Sequence, residues 1–149
     1  MLGELTNDQI EDLLLTEVVG RIGCHSSGLT FVVPITYAYD EGYVYAHSKE
    51  GMKIRMMREN PIICFEVDRM RDLSNWQSVV AWGRFEELKG NNQKMGLQKI
   101  IRRLRPLMPG ETVIPHEDFS EGHQSDPIPY KAVIFRLKLL EKTGRFEKR

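Results

Sequence analysis

The spacing of apolar residues along the chain predicts six strands and three helices. Alternating or β-branched runs favour strands, with approximate ranges of 18–24, 30–39, 43–47, 62–68, 76–88 and 130–142. Apolar residues repeat at helical intervals over residues 7–15, 51–59 and 91–105. The chain is therefore predicted to be mainly β, with short helices between the strands.

Local signals predict where several of these elements begin and end. Thr6-Asn7-Asp8-Gln9 has the form of a capping box, so the first helix should begin there. Asn60-Pro61 should end the second helix, because the residue before a proline avoids helical geometry. Gly83, inside a long strand, predicts a bulge or a close approach of another backbone.

Short turns between the early strands predict an antiparallel arrangement. Ser26-Ser27-Gly28 and Asp40-Glu41-Gly42 are turn signals between consecutive strands. The simplest architecture is a six-stranded antiparallel barrel with short flanking helices, two of which could cover a barrel end. We expect a single domain over residues 1–149, with a barrel core over about 16–88, a helix over 91–105, a proline-rich loop over 106–129 and a final strand over 130–142.

Composition argues against several partners. The chain carries 21 basic and 21 acidic side chains, so its neutral total gives no electrostatic reason to expect nucleic acid or an anionic membrane. No apolar stretch approaches the roughly 18 residues that span a bilayer, and the first residues lack the features of a signal peptide. We therefore expect a cytoplasmic protein. Cys24 and Cys64 are interpreted as reduced thiols in or near the core, with a disulfide or redox pair as the alternative.

The most informative run is Tyr45-Ala46-His47-Ser48-Lys49-Glu50-Gly51-Met52-Lys53, which follows a predicted strand and opens a predicted helix. A lysine in the first turn of a helix is disfavoured by the positive end of the helix dipole. The position becomes favourable when an anion lies between the ammonium group and the free N–H groups of that turn. The run is therefore interpreted as a phosphate-binding turn, with Lys49 and Arg55 adding basic character.

Other chemistry-bearing residues have simpler interpretations. His116 and His123 lie near acidic residues in the proline-rich stretch, but their spacing is irregular, so we expect loop polarity and no metal site. Trp82 is interpreted as packing in the core or at a dimer interface. The basic residues of the third helix are interpreted as a solvated face, and they are Lys99, Arg102, Arg103 and Arg105.

Several motifs, taken in order, resemble one known family. They are Val32-Val33-Pro34-Ile35-Thr36-Tyr37, Asp40-x-Gly42-x-x-Tyr45-x-His47-Ser48, Gly51-x-Lys53, Asn60-Pro61, and Trp76-x-Ser78-Val79 up to Gly83. Together they are similar to the FMN-binding split-barrel proteins, relatives of pyridoxamine 5′-phosphate oxidase, and most of all to the branch with nitroimidazole-resistance proteins. The resemblance covers about residues 5–90, with an echo in the final strand and in Thr143-Gly144-Arg145.

This resemblance implies a homodimer with FMN in a groove at the subunit interface. The segment beside the isoalloxazine would offer backbone groups to its polar edge, and it comprises Val33, Pro34, Ile35 and Thr36. The phosphate would be held by the following turn, whose matching residues are His47, Ser48, Gly51, Met52 and Lys53. The side chains would supply a hydroxyl donor and a positive charge, as a flavin phosphate requires.

Three further positions enter through the same resemblance. Ser78 matches a strand position that approaches the ring from below, and Trp76 is a candidate for the pocket wall. Arg145 is a candidate for contact with the flavin of the other subunit. His47 should lie beside the flavin or its substrate, where an imidazole can also transfer a proton.

The chain departs from the oxidases proper at two points. The phosphate turn has Gly51-Met52 where those enzymes carry additional arginines, and the tail after Thr143 contains no histidine. We therefore expect a flavin-dependent oxidoreductase acting on a small reducible compound, such as a nitroaromatic, rather than on pyridoxamine phosphate. The alternatives are a non-catalytic module that binds or stores flavin, deazaflavin or haem, and a barrel that has lost its cofactor. Lys49, Arg55 and Arg58 are compatible with the acidic tail of a deazaflavin.

Overall fold

The structure is a computed structural model that describes residues 1–108 and 131–149. Within these residues the strands are β1 (Leu2–Glu4), β2 (Val19–Ser26), β3 (Leu29–Thr36), β4 (Ala38–Asp40), β5 (Tyr43–Ser48), β6 (Ile62–Asp72), β7 (Asn75–Glu87) and β8 (Val133–Glu147). The helices are α1 (Asn7–Thr16), α2 (Met52–Glu59) and α3 (Gly90–Leu104). A short 3-10 turn, Arg105–Leu107, follows α3.

All the described strands belong to one antiparallel sheet. Its order is β3-β2-β6-β7-β8-β5-β4, and β1 pairs with a further part of β8. The final strand β8 therefore joins the two halves of the sheet, because it bonds to β7 on one side and to β5 on the other. The predicted class, a mainly β antiparallel barrel with short flanking helices, is confirmed.

The number and length of the strands differ from the prediction. Two strands of three residues each were not predicted as separate elements: β1, and β4, which Tyr37 separates from β3. Residues 69–75, which lie between the predicted strands 62–68 and 76–88, continue β6 to Asp72 and turn directly into β7. The final strand, predicted to end at residue 142, continues as β8 to Glu147. These segments form a ribbon with a solvated face, and its polar residues resemble a loop in sequence.

Gly83 marks the predicted irregularity. The register between β7 and β8 shifts between Trp82 and Gly83, which pair with Glu141 and Leu139. A Cβ atom at Gly83 would lie 2.1 Å from the carbonyl oxygen of Lys138. Only glycine fits this close approach of two backbones, so the prediction is confirmed.

The core lies inside the barrel and is covered by α1 and α2. Ile10, Leu13 and Leu14 of α1 and Ile54 and Met57 of α2 are buried there. They meet the inward side chains of the sheet, which include Ile22, Phe65, Val79, Phe135 and Leu137. Burial of these apolar faces supplies most of the driving force for the fold. Two helices covering the barrel interior agree with the predicted architecture.

Helix α3 packs on the opposite side of the sheet, in a second apolar cluster. Ile100 and Ile101 contact this cluster together with Tyr45 and Ile134. The prediction of a solvated basic face agrees with Arg102, which is exposed, but was wrong for Lys99, Arg103 and Arg105, which are half-buried. Lys99 forms an ion pair with Asp40, and Arg103 donates to the carbonyl oxygens at the end of α1. A helical repeat shows that such residues share a face, but not that another element lies opposite them.

The two cysteines lie on opposite faces of the sheet. Cys64 pairs in register with Gly23, so it faces outward, while the neighbouring Cys24 faces the core. Both are free thiols, and burial raises the pKa of each. Trp82 is 42% exposed on the same outer face as Cys64, so it does not pack in the core, and the alternative of packing at a dimer interface stays a prediction. Among the described residues, no helix combines the length and apolarity required to cross a membrane.

Candidate functional site

The turn between β5 and α2 presents backbone donors without an internal acceptor. Gly51 is the N-cap of α2 in an extended conformation and has no side chain to cap the helix. Within the described residues no side chain caps this end, and the first turn contains no acidic residue. The first N–H groups of a helix need an outside acceptor, and the helix dipole favours an anion there.

The basic side chains in and near this turn differ in whether an acidic side chain pairs with them. Arg58 is bonded to the carboxylates of Glu50 and Glu87. Lys49, Lys53 and Arg55 form no ion pair within the part of the chain that the structure describes. Three cations therefore remain near the turn to attract an anion, and Arg58 is not one of them.

Ser48 shapes this turn from within. Its side chain is buried, and its hydroxyl donates to the carbonyl oxygen of Lys49 at 2.9 Å. A serine hydroxyl has one hydrogen to donate. Direct donation from Ser48 to a phosphate therefore stays a prediction that requires the hydroxyl to rotate away from Lys49. Met52, at the start of α2, is 44% exposed.

His47 lies between the turn and an apolar cavity of about 220 Å³. The cavity is lined by Val18, Thr36, His47, Ile100, Ile101, Leu104, Arg105, Leu107 and Met108. Burial lowers the pKa of His47, and the positive charge of Lys53 lowers it further. The imidazole is therefore neutral at neutral pH and can both donate and accept a hydrogen bond. Lys53 also partly offsets the rise in the pKa of Cys24, so its field reaches both residues.

Strand β3 forms an edge of the sheet beside this cavity. Within the described residues β3 pairs only with β2, so its other edge has N–H and C=O groups that no strand uses. Ile35 is buried, Val33 is half-buried, and Pro34 and Thr36 are exposed. The structure brings Thr36 and His47 to one cavity, although 11 positions along the chain separate them.

Ser78 lies elsewhere on the outer face, in a polar network. Its hydroxyl donates to Glu66 at 3.3 Å, and Arg21 bonds both Glu66 and Asp68. Burial and the neighbouring Asp68 raise the pKa of Glu66, and Arg21 counteracts this. Ser78 pairs in register with Arg145 on β8, so these two sequence-predicted residues are neighbours.

Trp76 is not brought to the His47 cavity. It lines a separate depression of about 270 Å³, together with Arg69, Arg71, Asn75, Gln77, Phe146, Glu147 and Lys148. The indole N–H donates to Glu147 at 3.2 Å. The two concavities share no lining residue. Within one chain Trp76 and His47 therefore belong to different sites.

Most residues that enclose the cavity around His47 were not predicted from the sequence. Ile100, Ile101 and Leu104 come from α3, and Val18 comes from the segment before β2. The helical repeat of α3 indicated an apolar face, but a repeat does not show which strand that face meets. His116 and His123 lie outside the described residues. Within those residues no group of three or more histidine, cysteine, aspartate or glutamate side chains could hold a metal ion.

Comparisons with known proteins give the family. Residues 6–125 match the family model described as pyridoxamine 5′-phosphate oxidase. The chain therefore belongs to the pyridoxamine 5′-phosphate oxidase family, and the resemblance seen in the sequence is confirmed. An uncharacterised protein of Rhizobium meliloti is 30% identical over 84 residues, which are 56% of each chain. The match thus spans about half the length of this curated relative.

Solved structures show the same fold over nearly the whole chain. A FAD-binding protein from Mesorhizobium loti is 29% identical, with a TM-score of 0.79 and 99% of each chain covered. A candidate 5-nitroimidazole antibiotic resistance protein from Bacteroides thetaiotaomicron is 20% identical, with a TM-score of 0.72, covering 98% of this chain and 87% of that one. The second likeness concerns the fold alone.

Proposed function

We propose that this protein binds FMN and acts as a flavin-dependent oxidoreductase on a small reducible compound. Family membership supports a flavin, and so does the Mesorhizobium loti protein, which is named as FAD-binding and aligns along its whole length. The observation that carries the proposal is the position of His47, between an apolar cavity and the turn that bears Lys53.

The donors of the turn fit a phosphate. The first N–H groups of α2 have no side-chain cap, and Lys53 stands among them without an ion pair in the described part of the chain. Lys49 and Arg55 add positive potential at the same end of the helix. A doubly charged phosphomonoester is the ligand that such a set favours.

The remaining contacts fit a flat ring with one polar edge. The unused edge of β3 supplies backbone donors and acceptors, and the cavity supplies an apolar wall. Ligand pockets usually measure about 300–1,000 Å³, so the cavity of about 220 Å³ holds only part of a flavin or a small substrate. This is the basis for proposing that a second copy of the chain completes the site.

A homodimer is therefore part of the proposal. One row of the outer face crosses four strands through Val32, Gly23, Cys64 and Trp82. Val32 is 61% exposed and Trp82 is 42% exposed. Apolar side chains exposed together are typical of a surface that another subunit covers. Burial of this row would place the partner next to the Ser78 network.

The chain's own residues define what the site can do. When bound, the flavin would supply hydride or electron transfer. Neutral His47 would hold a hydrogen bond to a substrate in the cavity and could deliver a proton from its imidazole nitrogen. The apolar walls from α3 would exclude water and favour an uncharged or weakly polar compound. The phosphate turn has Gly51-Met52 where the oxidases carry additional arginines, which argues against pyridoxamine phosphate as substrate.

An absorption spectrum of the freshly purified protein tests the cofactor. We expect twin bands in the near-ultraviolet and the blue, and heat release followed by mass analysis should give FMN. A FAD mass would correct the cofactor but keep the flavin. A colourless protein that also fails to take up added FMN would overturn the proposal.

The oxidoreductase part needs a second measurement. The bound chromophore is bleached with a reductant without oxygen, and recovery of its colour is followed after adding a nitroaromatic compound. Recovery that is faster than with oxygen alone supports turnover. Recovery only with oxygen would favour a module that binds flavin without catalysis.

A further inference from the structure

We infer that Arg58 is a positioning residue, which holds the turn before α2 in the shape that accepts the flavin phosphate. This inference rests on the proposed function. It assigns to Arg58 a role that differs from contact with the acidic tail of a deazaflavin, with which its sequence position is compatible.

Arg58 bonds two carboxylates at once. Its Nη1 and Nη2 atoms donate to the two oxygens of Glu50 at 2.9 and 2.7 Å. Its Nε and Nη2 atoms donate to the two oxygens of Glu87 at 2.8 and 3.1 Å. Both pairs are bidentate, which fixes geometry as well as adding energy. Four of the five guanidinium N–H donors are thus used inside the protein.

The two carboxylates lie in different parts of the fold. Glu50 lies in the turn itself, one residue before the N-cap Gly51. Glu87 ends β7, pairs in register with Phe135 and is anchored in the sheet. Arg58 stands in the last turn of α2, so its side chain connects both ends of the helix to the sheet. Residues 49–51 are thereby tied to a rigid element.

The lowered pKa values of Glu50 and Glu87 support a structural role for their contacts with Arg58. Arg58 lowers the pKa of Glu87 to about 2, and Lys89 contributes to the shift. Arg58 also lowers the pKa of Glu50. Both carboxylates are therefore ionised near neutral pH and keep the guanidinium engaged. Because two carboxylates already neutralise its guanidinium, Arg58 adds little positive potential at the phosphate position.

The variant Glu50→Ala should give opposite results for the two possible roles of Arg58, a direct ligand of the phosphate or a positioning residue. If Glu50 acts only as a negative charge near the phosphate, its removal should tighten FMN binding by reducing repulsion. If the contact with Arg58 holds the turn, its removal should weaken FMN binding. Arg58→Lys separates the roles again, because lysine keeps the charge but cannot form two bidentate contacts.

The experiment compares dissociation constants for FMN and for riboflavin, which lacks the phosphate. Wild-type protein, Arg58→Lys, Glu50→Ala and the control Lys89→Gln are titrated at one ionic strength. Lys89→Gln also removes a positive charge from Glu87 but does not touch the turn. We expect FMN affinity to fall about tenfold in Arg58→Lys and Glu50→Ala, the order of one charge-assisted contact. Riboflavin affinity and the control should stay near wild type.

The outcomes separate the two proposals. Unchanged preference for FMN over riboflavin in both variants, with the wild type showing that preference, would overturn the role of Arg58 and leave the flavin site standing. A parallel loss of FMN and riboflavin affinity would mean general disruption and would also overturn it. A wild type without any preference for FMN would remove the phosphate site and the inference together. Glu50→Ala keeps the test valid if Arg58→Lys folds poorly, because it preserves the bond between Arg58 and Glu87.

Discussion

Helices α1 and α2 both bury an apolar face inside the barrel, but the ends of their backbones are treated differently. Thr6 and Gln9 cap the start of α1 reciprocally, with donor–acceptor distances of 3.2 and 2.8 Å. At its other end Tyr37 donates to the carbonyl of Leu14 at 2.8 Å, and Arg103 donates to those of Leu15 and Thr16. The described start of α2 has no such side-chain partner.

Missing capping alone does not define a binding site. Helix α3 also begins without a side-chain cap in the described structure, at Lys89, but its first residues, Asn91 and Asn92, are exposed to water. The start of α2 differs because a lysine stands in its first turn and His47 with its cavity lies beside it. The backbone groups at the ends of α1 are thus paired within the chain, whereas the uncapped N–H groups of α2, which are proposed to bind the phosphate, lie next to positive side chains.

The largest expected effect comes from removing the charge at the start of α2. The double variant Lys53→Ala with Ser48→Ala should weaken FMN binding about a hundredfold, because a charged and a neutral hydrogen bond are lost together. Riboflavin binding should change little. Fluorescence titration with both compounds measures this, and Lys94→Ala, at an exposed lysine of α3, is the control. Retention of wild-type FMN affinity would contradict the assignment of the phosphate.

The next largest effect concerns the C-terminal end of α1, where Tyr37 is bonded to a backbone carbonyl. Removing this bond should change the stability of the fold but not the binding of FMN. Tyr37→Phe removes the hydroxyl that satisfies the buried carbonyl of Leu14. We expect a loss of about 1–3 kcal/mol in the free energy of unfolding, measured by urea denaturation. FMN affinity should remain unchanged. A loss of FMN binding free energy as large as the loss of stability would show that the end of α1 also contributes to the proposed site at the start of α2.

A side-chain cap added at the start of α2 should make it similar to the capped start of α1. Gly51 has an extended conformation, and a Cβ atom there would meet only the Lys49 carbonyl oxygen, at 3.8 Å. Gly51→Asp should therefore fit and stabilise the protein by about 0.3–1 kcal/mol. It should weaken FMN binding about tenfold, because the carboxylate competes with the phosphate for the same N–H groups. Gly51→Ala fills the same space without an acceptor and should keep its affinity. A Gly51→Asp variant that binds FMN normally would argue against the site.

The smallest effect is the pH dependence due to His47. Burial and Lys53 lower its pKa below the ordinary value of 6.5, so the unfolded chain binds a proton more readily than the native one. Stability is then fully present above 6.5 and falls as the pH drops through that value towards the lower native pKa. Glu66 has a raised pKa and acts in the opposite sense, losing its contribution as the pH rises.

Comparison with a variant isolates the histidine from Glu66. Denaturation of wild type and His47→Gln is measured from about pH 8 to about pH 5, where histidine titrates. The difference in unfolding free energy between the two proteins should shrink or change sign as the pH falls. A difference that is constant with pH would show that His47 is not buried in its neutral form.

Much of the local structure could be predicted because it depends on residues close in sequence. The capping box of α1, the end of α2 at Asn60 and the irregularity at Gly83 each depend on a few neighbouring positions. The turn before α2 was recognised for the same reason. Short alternating ribbons with polar faces were missed, because without a partner strand they resemble loops.

The sequence by itself determined the class of fold, the family, and the helix start that presents Lys53. Only the tertiary structure decided that Thr36 and His47 share a cavity, that Trp76 lies outside it, and that Arg58 is bonded to carboxylates. The physical reason is the range of the interactions. Helical repeats and turns are set within about four residues. The contacts that enclose the candidate site join α3, β3 and β5, and they exist only once the strands have paired.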